Sequence, residues 1–255
     1  MSLASRLRAG ETIYSGWSNM TDTLAMEALC RTQLSAVLLD MQHGAHDTAS
    51  IVALTGILRS AGKHTVVRVP VGRFDMASRA LDIGVEAVVA PMINTVEDAR
   101  RFAAAMKYPP LGERSWGQLR GRPGGYVAGG SGGYLVQTNT ETLALAMIET
   151  RAAYEALDEI LAVEGIDGVF VGPSDFSIAW SNGAEVDAGS DAIIEPLTEI
   201  AKRAKAAGKL AGIYAGNAAL AKRFTGLGFT YLPLAVDTIY LTEGVQSLLN
   251  AIEAH

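Results

Sequence analysis

The chain is short of several things that would each have narrowed its chemistry. One cysteine, Cys30, among 255 residues excludes an internal disulfide framework and any cysteine-rich zinc site. Basic residues are outnumbered, 21 Lys+Arg against 27 Asp+Glu, giving a formal charge of −6 and a pI near 5.3. Nucleic acid is therefore not expected as a partner, because phosphate binding wants a basic surface. No apolar run reaches 18 residues, and the stretch from Met1 to Gly10 has no apolar h-region, so neither a membrane span nor a signal peptide is expected. No Gly-x-Gly-x-x-Gly follows the first apolar run and no Walker-type phosphate loop occurs, which removes the usual nucleotide-binding reasons for an open sheet. What is present is a globular balance, 49% hydrophobic and 19% charged, without the low hydrophobicity and high net charge of disorder. The expectation is a soluble, cytoplasmic protein of one domain spanning residues 1–255.

Short apolar runs recur along the chain: Thr12–Gly16, Ala36–Asp40, Thr65–Pro70, Ala87–Pro91, Leu143–Glu149, Gly168–Gly172, Leu210–Tyr214 and Thr230–Leu234. Most are nearly continuous in Val, Ile, Leu or Tyr, as strands buried on both faces should be. Leu143–Glu149 is the weakest, since Ala and Leu suit a helix equally. Between them lie amphipathic stretches at Asp47–Ala61, Asp75–Leu81, Glu97–Met106, Arg151–Leu161 and Ala192–Ala207, several closed by glycine or proline. Strand and helix alternating to a count of eight strands predict a parallel sheet closed as a (β/α)8 TIM barrel, a fold that commonly uses about 250 residues. Two segments stand outside that rhythm. A Gly-rich arm at about 112–135, between the fourth and fifth strands, is expected at the catalytic face as a lid, binding loop or interface arm. A final helix is expected over about 240–254.

Barrel enzymes carry their chemistry at the C-terminal ends of the strands. The polar residues there are Asp40 and, just beyond it, His43; Arg68 within Val66-Val67-Arg68-Val69-Pro70; Glu149; and Gly172-Pro173-Ser174-Asp175. Glu149 and Asp175 read equally well as helix caps when taken singly, and His43 as a satisfied polar group. Arg68 is harder to explain away, because a charge inside an apolar strand is costly unless paired. His46, His64 and the terminal His255 read as structural. Glu149 and Asp175 stand 26 residues apart, about one βα unit, so they should end adjacent strands. Two carboxylates side by side repel unless a cation lies between them. Oxygen-only ligation suits a hard divalent ion with positions left for water or a chelating substrate such as a 2-oxo acid. Arg68 would then face negative charge on oxygen, and His43 would move a proton.

At these residues the chain resembles the HpcH/HpaI aldolase family, metal-dependent class II pyruvate aldolases such as 4-hydroxy-2-oxoheptanedioate aldolase and 2-keto-3-deoxy-sugar-acid aldolases. The markers are Leu38-Leu-Asp-Met-Gln-His43, Val67-Arg-Val-Pro70, Leu81-Asp-Ile-Gly84, Ala90-Pro-Met92, Tyr108-Pro-Pro-Leu-Gly-Glu-Arg114, Ile148-Glu149 and the long block from Val163 to Asp175. The resemblance implies a barrel whose last helix is exchanged between subunits of a homo-oligomer, commonly a hexamer built as a trimer of dimers. It implies Glu149 and Asp175 as ligands of a divalent ion (Mg²⁺, Mn²⁺ or Co²⁺) and a small-molecule 2-oxo acid and an aldehyde as substrates. Amides around Ser174 and Asp175, next to Gly172, would hold the oxo-acid carboxylate. Arg68 matches the arginine that stabilises the enolate oxygen, His43 the base, and Asp82 a carboxylate that raises its basicity, with Asp40 a second candidate to orient the imidazole.

Two departures stand out. Met147 occupies the position, two before Glu149, where the family usually has a glutamine that contacts substrate; i and i+2 share a strand face, so Met147 should line the pocket with a weak hydrogen-bonding group. Ser115-Trp116-Gly117 replaces smaller residues after Arg114. Trp17, just after the first run, reads equally well as a pocket wall or as packing at the barrel end. Schiff-base chemistry is the mechanistic rival, but no lysine ends an apolar run; Lys202, Lys205 and Lys209 lie in or just beyond a helix. The rival functions are an acyl-CoA C–C lyase of the citrate-lyase β-subunit type, with Arg120 and Arg122 as phosphate contacts, and a non-catalytic barrel that only binds an oxo acid.

Overall fold

The computed structural model describes residues 1–120 and 130–253. Eight parallel strands form a closed barrel: β1 (Ile13–Ser18), β2 (Ala36–Asp40), β3 (His64–Arg68), β4 (Ala87–Ala90), β5 (Leu143–Ile148), β6 (Gly168–Val171), β7 (Leu210–Ile213) and β8 (Tyr231–Leu234), with β8 pairing back onto β1. The apolar runs are nearly continuous because each strand is buried twice, once against the helices and once inside the barrel. On β2, Val37 and Leu39 join the outer layer and Ala36 and Leu38 the inner one. Alternation then sends Asp40 inward. Inside, Leu38, Val66, Val89, Leu145, Met147, Phe170 and Tyr231 fill the lumen, so the barrel is a packed core with a site only at its mouth.

The helices are α1 (Leu3–Arg8), α2 (Thr23–Cys30), α3 (Thr48–Ser60), α4 (Phe74–Ile83), α5 (Val96–Met106), α6 (Gly130–Glu141), α7 (Arg151–Glu155), α8 (Leu157–Leu161), α9 (Pro173–Trp180), α10 (Ile194–Ala206), α11 (Ala218–Leu227) and α12 (Asp237–Glu253). Helix α1 closes the N-terminal end of the barrel, burying Leu3, Ala4 and Leu7 against the inner core. The continuous helix expected over Arg151–Leu161 is two, broken at Ala156, whose ψ of 5° leaves the helical region. Helices α2 and α11 fall in stretches given no helix from the sequence, although each has a cap there. Asp22 accepts from the Ala25 amide, Asn217 from that of Leu220, and Gly228 ends α11 with φ 107°.

The described parts of the Gly-rich arm, residues 112–120 and 130–135, are not at the catalytic face. The arm follows α5 rather than preceding it, and so starts at the N-terminal end of the barrel. Buried Lys107 donates there to the Thr142 carbonyl and to Asp167, just ahead of β5 and β6. Arg114 reaches Asp82 at the far end of α4, and from Gly130 the chain is helix α6, packed on α1. Residues 121–129, Arg122 among them, and His255 lie outside the described residues.

Candidate active site

At the C-terminal mouth, Asp40 is the hub. Its carboxylate accepts from Arg68 Nε at 2.9 Å and Nη2 at 2.6 Å, a two-pronged pair between adjacent strands registered Asp40 to Arg68. It also accepts from Trp17 Nε1 at 3.3 Å and from the Gln42 and His43 amides. Burial works against ionisation of Asp40, but the Arg68 bonds and charge outweigh it and hold the carboxyl below its ordinary value. The arginine inside an apolar strand is thus paired, as its burial requires. Trp17 lies under the guanidinium, 4.6 Å from ring centroid to Arg68 Cζ, and adds a cation–π contact. Fixed on these sides, Arg68 keeps Nη1 without a partner among the described residues.

Across the mouth, Glu149 is 3% exposed and does not cap α7; Thr150 does, accepting from the Ala153 amide. Glu149 accepts instead from the Met92 amide at 2.7 Å. Burial pushes its carboxyl up to about 7, with the neighbouring charge of Asp175 adding to the shift and the Met92 amide and Arg68 opposing it. No cationic side chain pairs with Glu149 or Asp175 among the described residues. Asp175 is likewise no N-cap; it sits in the first turn of α9, capped by Gly172 without a side-chain bond. Gly172 is required by closeness: a Cβ there would lie 2.7 Å from Glu149 Oε2 and 3.1 Å from the Met147 methyl.

A pocket of about 240 Å³ is lined by Trp17, Asp40, His43, Arg68, Met147, Gly172, Ser174 and Asp175 among others; Glu149 is not in its wall but lies against the lining residue Gly172. A larger groove of about 510 Å³ between α5 and α8 lies on the flank, away from the strand ends.

Two expectations fail within one chain. Asp40 does not orient the His43 ring: it contacts only the amide, and the exposed imidazole bonds no described residue. Asp82 is not beside His43 at all. It sits at the last turn of α4, at the other end of the barrel, paired with Arg114 at 2.8 Å. Helix α4 starts after β3 and runs back, so its C-terminal end is remote from the mouth.

The sequence reading missed Tyr214, Asn19 and Val236, all in the pocket wall. Tyr214 ends the apolar run Leu210–Tyr214, so the strand-end rule that selected Asp40 and Glu149 would have found it had it been extended beyond charged residues. His46 and His64, read as structural, are hydrogen-bonded to Ser18 and to Glu86 and do not line this pocket.

The chain matches the family profile described as HpcH/HpaI aldolase/citrate lyase over residues 14–243. It is 35% identical over 240 residues to a hydroxypyruvate/pyruvate aldolase of Rhizorhabdus wittichii, covering 94% of each chain. It is 32% identical to a 2-keto-3-deoxy-L-rhamnonate aldolase of Salmonella gallinarum, covering 95% of this chain and 90% of the other. The crystal structure of an HpcH/HpaI aldolase from Desulfitobacterium hafniense superposes with a TM-score of 0.88 at 26% identity, covering 99% and 97% of the two chains. Profile, relatives and architecture agree, and the chain belongs to the HpcH/HpaI aldolase/citrate lyase family.

Proposed function

We propose that this protein is a divalent-metal-dependent aldolase that joins or cleaves a C–C bond between a small 2-oxo acid, pyruvate or hydroxypyruvate, and an aldehyde. The observation that carries the reading is two neighbouring carboxylates that no described cationic side chain pairs, Asp175 in the pocket wall and buried Glu149 behind Gly172, in the field of the Arg68 guanidinium on the same pocket.

The donor set fits a hard ion. A buried carboxyl pushed to about 7 beside a second carboxyl is destabilised until a cation arrives. No group of three His, Cys, Asp or Glu side chains suited to a metal occurs among the described residues. Two carboxylates leave most positions of a six-coordinate ion to water and substrate, the habit of Mg²⁺ and Mn²⁺; Co²⁺ is a further candidate. Such an ion, when bound, acts as a Lewis acid on the keto oxygen of the oxo acid and eases loss of a C3 proton.

The chain's own groups do the rest. Amides of Ser174 and Asp175 at the start of α9 point their positive ends at the substrate carboxylate. Arg68 Nη1 donates to the oxygen on which negative charge develops. His43, its ring unengaged, carries the proton between C3 or the new hydroxyl and water. Asp82 can assist that imidazole only from a second copy of the chain, since in one chain the two lie at opposite ends of the barrel. An oligomer fits α12 as well: Leu241, Val245, Leu248, Leu249 and Ile252 are exposed at one-face helical spacing, as expected of a helix exchanged between subunits of a hexamer. Among the described residues no helix is long and apolar enough to cross a membrane, and the chain carries a formal charge of −6.

Among the described residues no lysine lines the pocket, against a Schiff base. Arg120 lies against Gly56 of α3 and near Gly84, away from the mouth, against its service in an acyl-CoA site. The experiment is proton NMR of pyruvate in D2O with the protein, with Mg²⁺ and then EDTA. Metal-dependent loss of the methyl signal is expected. No exchange and no metal-dependent aldol product from either oxo acid would sink the reading and favour a binding-only barrel.

A further inference from the structure

We propose that the Tyr214 hydroxyl reads the C3 substituent of the oxo acid and makes the site favour hydroxypyruvate over pyruvate as the nucleophile. The inference rests on the 2-oxo acid reading above and deepens it at one atom.

A 2-oxo acid that offers its carboxylate and keto oxygens to one cation directs C3 away from that cation. The carboxylates lie after β5 and in α9, just beyond β6, and Arg68 ends β3. C3 is therefore directed toward the arc that remains: Asp40, committed to Arg68, and His43 just past β2 on one side, and Trp17 of β1, Tyr214 just past β7 and Val236 just past β8 on the other. Val236 offers no polar group, and Trp17 spends its only donor on Asp40. Phe170 and Met147, below, are apolar or nearly so. Asn19 stands on the His43 side, its Oδ1 buried and 3.1 Å from where a Cβ on Gly44 would be.

Tyr214 is the exception on this wall. Its ring is held edge-on to Trp17, centroids 5.1 Å apart, which fixes the phenol next to the Trp17–Arg68 stack. The side chain is half-buried and lines the pocket, yet its hydroxyl bonds no described residue. Burial also pushes the phenol above its ordinary value, so it stays a neutral donor and acceptor across working pH. A partly desolvated hydroxyl without a partner is costly, and the one substrate group of matching chemistry at C3 is a hydroxyl. Met147, where the family's glutamine would stand, makes the contrast sharper: polarity absent on β5 is present after β7.

The test compares hydroxypyruvate with pyruvate in the wild type and in Tyr214→Phe, each as the metal-loaded oligomer. It reads the kcat/KM ratio with one common aldehyde and the ratio of dissociation constants by calorimetry without aldehyde. One neutral hydrogen bond corresponds to roughly a threefold to tenfold change. Tyr214→Phe should lower the hydroxypyruvate-to-pyruvate ratio by about that factor in both measurements, through hydroxypyruvate alone, with an unchanged melting temperature. Tyr214→Leu should lower the ratio similarly, which guards against a folding defect peculiar to one variant. A ratio unchanged within twofold in Tyr214→Phe, or an equal loss on both acids, overturns the inference and leaves the aldolase reading standing. A wild type that turns over neither acid overturns both.

Discussion

Glu149 gives the sharpest test, because the same burial that suits it to a cation makes it a liability without one. In the metal-free protein its carboxyl is raised from 4.5 to about 7. Below pH 4.5 it is protonated both folded and unfolded and costs nothing extra. Between pH 4.5 and 7 the unfolded chain releases this proton while the folded protein still holds it, so stability falls across that window and levels off above 7. At 1.36 kcal/mol per tenfold change in proton affinity, the penalty is about 3 kcal/mol at pH 8 and under about 1 kcal/mol at pH 5. Glu149→Gln keeps an acceptor for the Met92 amide and removes the charge. Measured in EDTA, its stability relative to the wild type should rise by about 2 kcal/mol between pH 5 and pH 8. For a chain of this size that is roughly 5 °C in melting temperature. Adding Mg²⁺ at pH 8 should restore the wild type and leave the variant unmoved, while the variant loses turnover. Scanning fluorimetry on both proteins at both pH values, with and without metal, is enough. A gap that does not change between pH 5 and pH 8, or one that widens on the acid side, refutes the claim that burial of Glu149 creates the cation site.

Other substitutions probe the remaining contacts. Glu149→Ala and Asp175→Ala should each abolish metal-dependent exchange of pyruvate protons while circular dichroism shows the barrel intact. Asp40→Asn leaves the buried Arg68 guanidinium without its counter-charge and should cost about 3 kcal/mol in urea unfolding, with turnover reduced more than tenfold; near-normal stability would mean that Arg68 finds another partner. Gly172→Ala places a methyl 2.7 Å from Glu149 Oε2 and should weaken Mn²⁺ binding, read by paramagnetic titration, at least tenfold. Mixing inactive His43→Ala with Asp82→Asn chains after partial unfolding should restore activity at roughly a quarter of the sites if Asp82 serves a neighbouring subunit, and none if its pairing with Arg114 is its whole role.

The barrel was readable because strands buried on both faces leave a strong trace: short, nearly unbroken runs of Val, Ile, Leu and Ala. All eight runs are strands, Leu143–Ile148 included, where Ala and Leu favour a helix locally and pairing with β4 and β6 overrides them. The helices were read less completely. Helix α11 has a modest apolar face, burying Ala221 and Phe224, and periodicity alone passes over it. Its cap residues carry the signal instead. The arm was misplaced for a topological reason. A crossover has two loops, one at each end of its helix, and the Gly-rich stretch follows Glu97–Met106, so it belongs to the returning loop at the N-terminal end.

The candidate site divides the same way, between what a strand end shows and what only the fold can bring together. Asp40, Arg68, Glu149 and the turn at Gly172 were legible because polarity at the end of an apolar strand needs an explanation, and a barrel gathers strand ends into one ring. Their pairing was not legible. Asp40 lies three residues before His43, and nearness along the chain pointed to the imidazole. The register of β2 on β3 instead puts Asp40 directly opposite Arg68, and a buried guanidinium claims a carboxylate far more strongly than a solvated imidazole does. That choice has a chemical consequence. With Asp40 committed to Arg68, His43 is left facing solvent and the pocket, and no described carboxylate of its own chain bonds its ring. Asp82, paired with Arg114 on the far end of the same chain, would reach the imidazole only by way of a second copy, so the proposed role of Asp82 and the proposed oligomer stand or fall together.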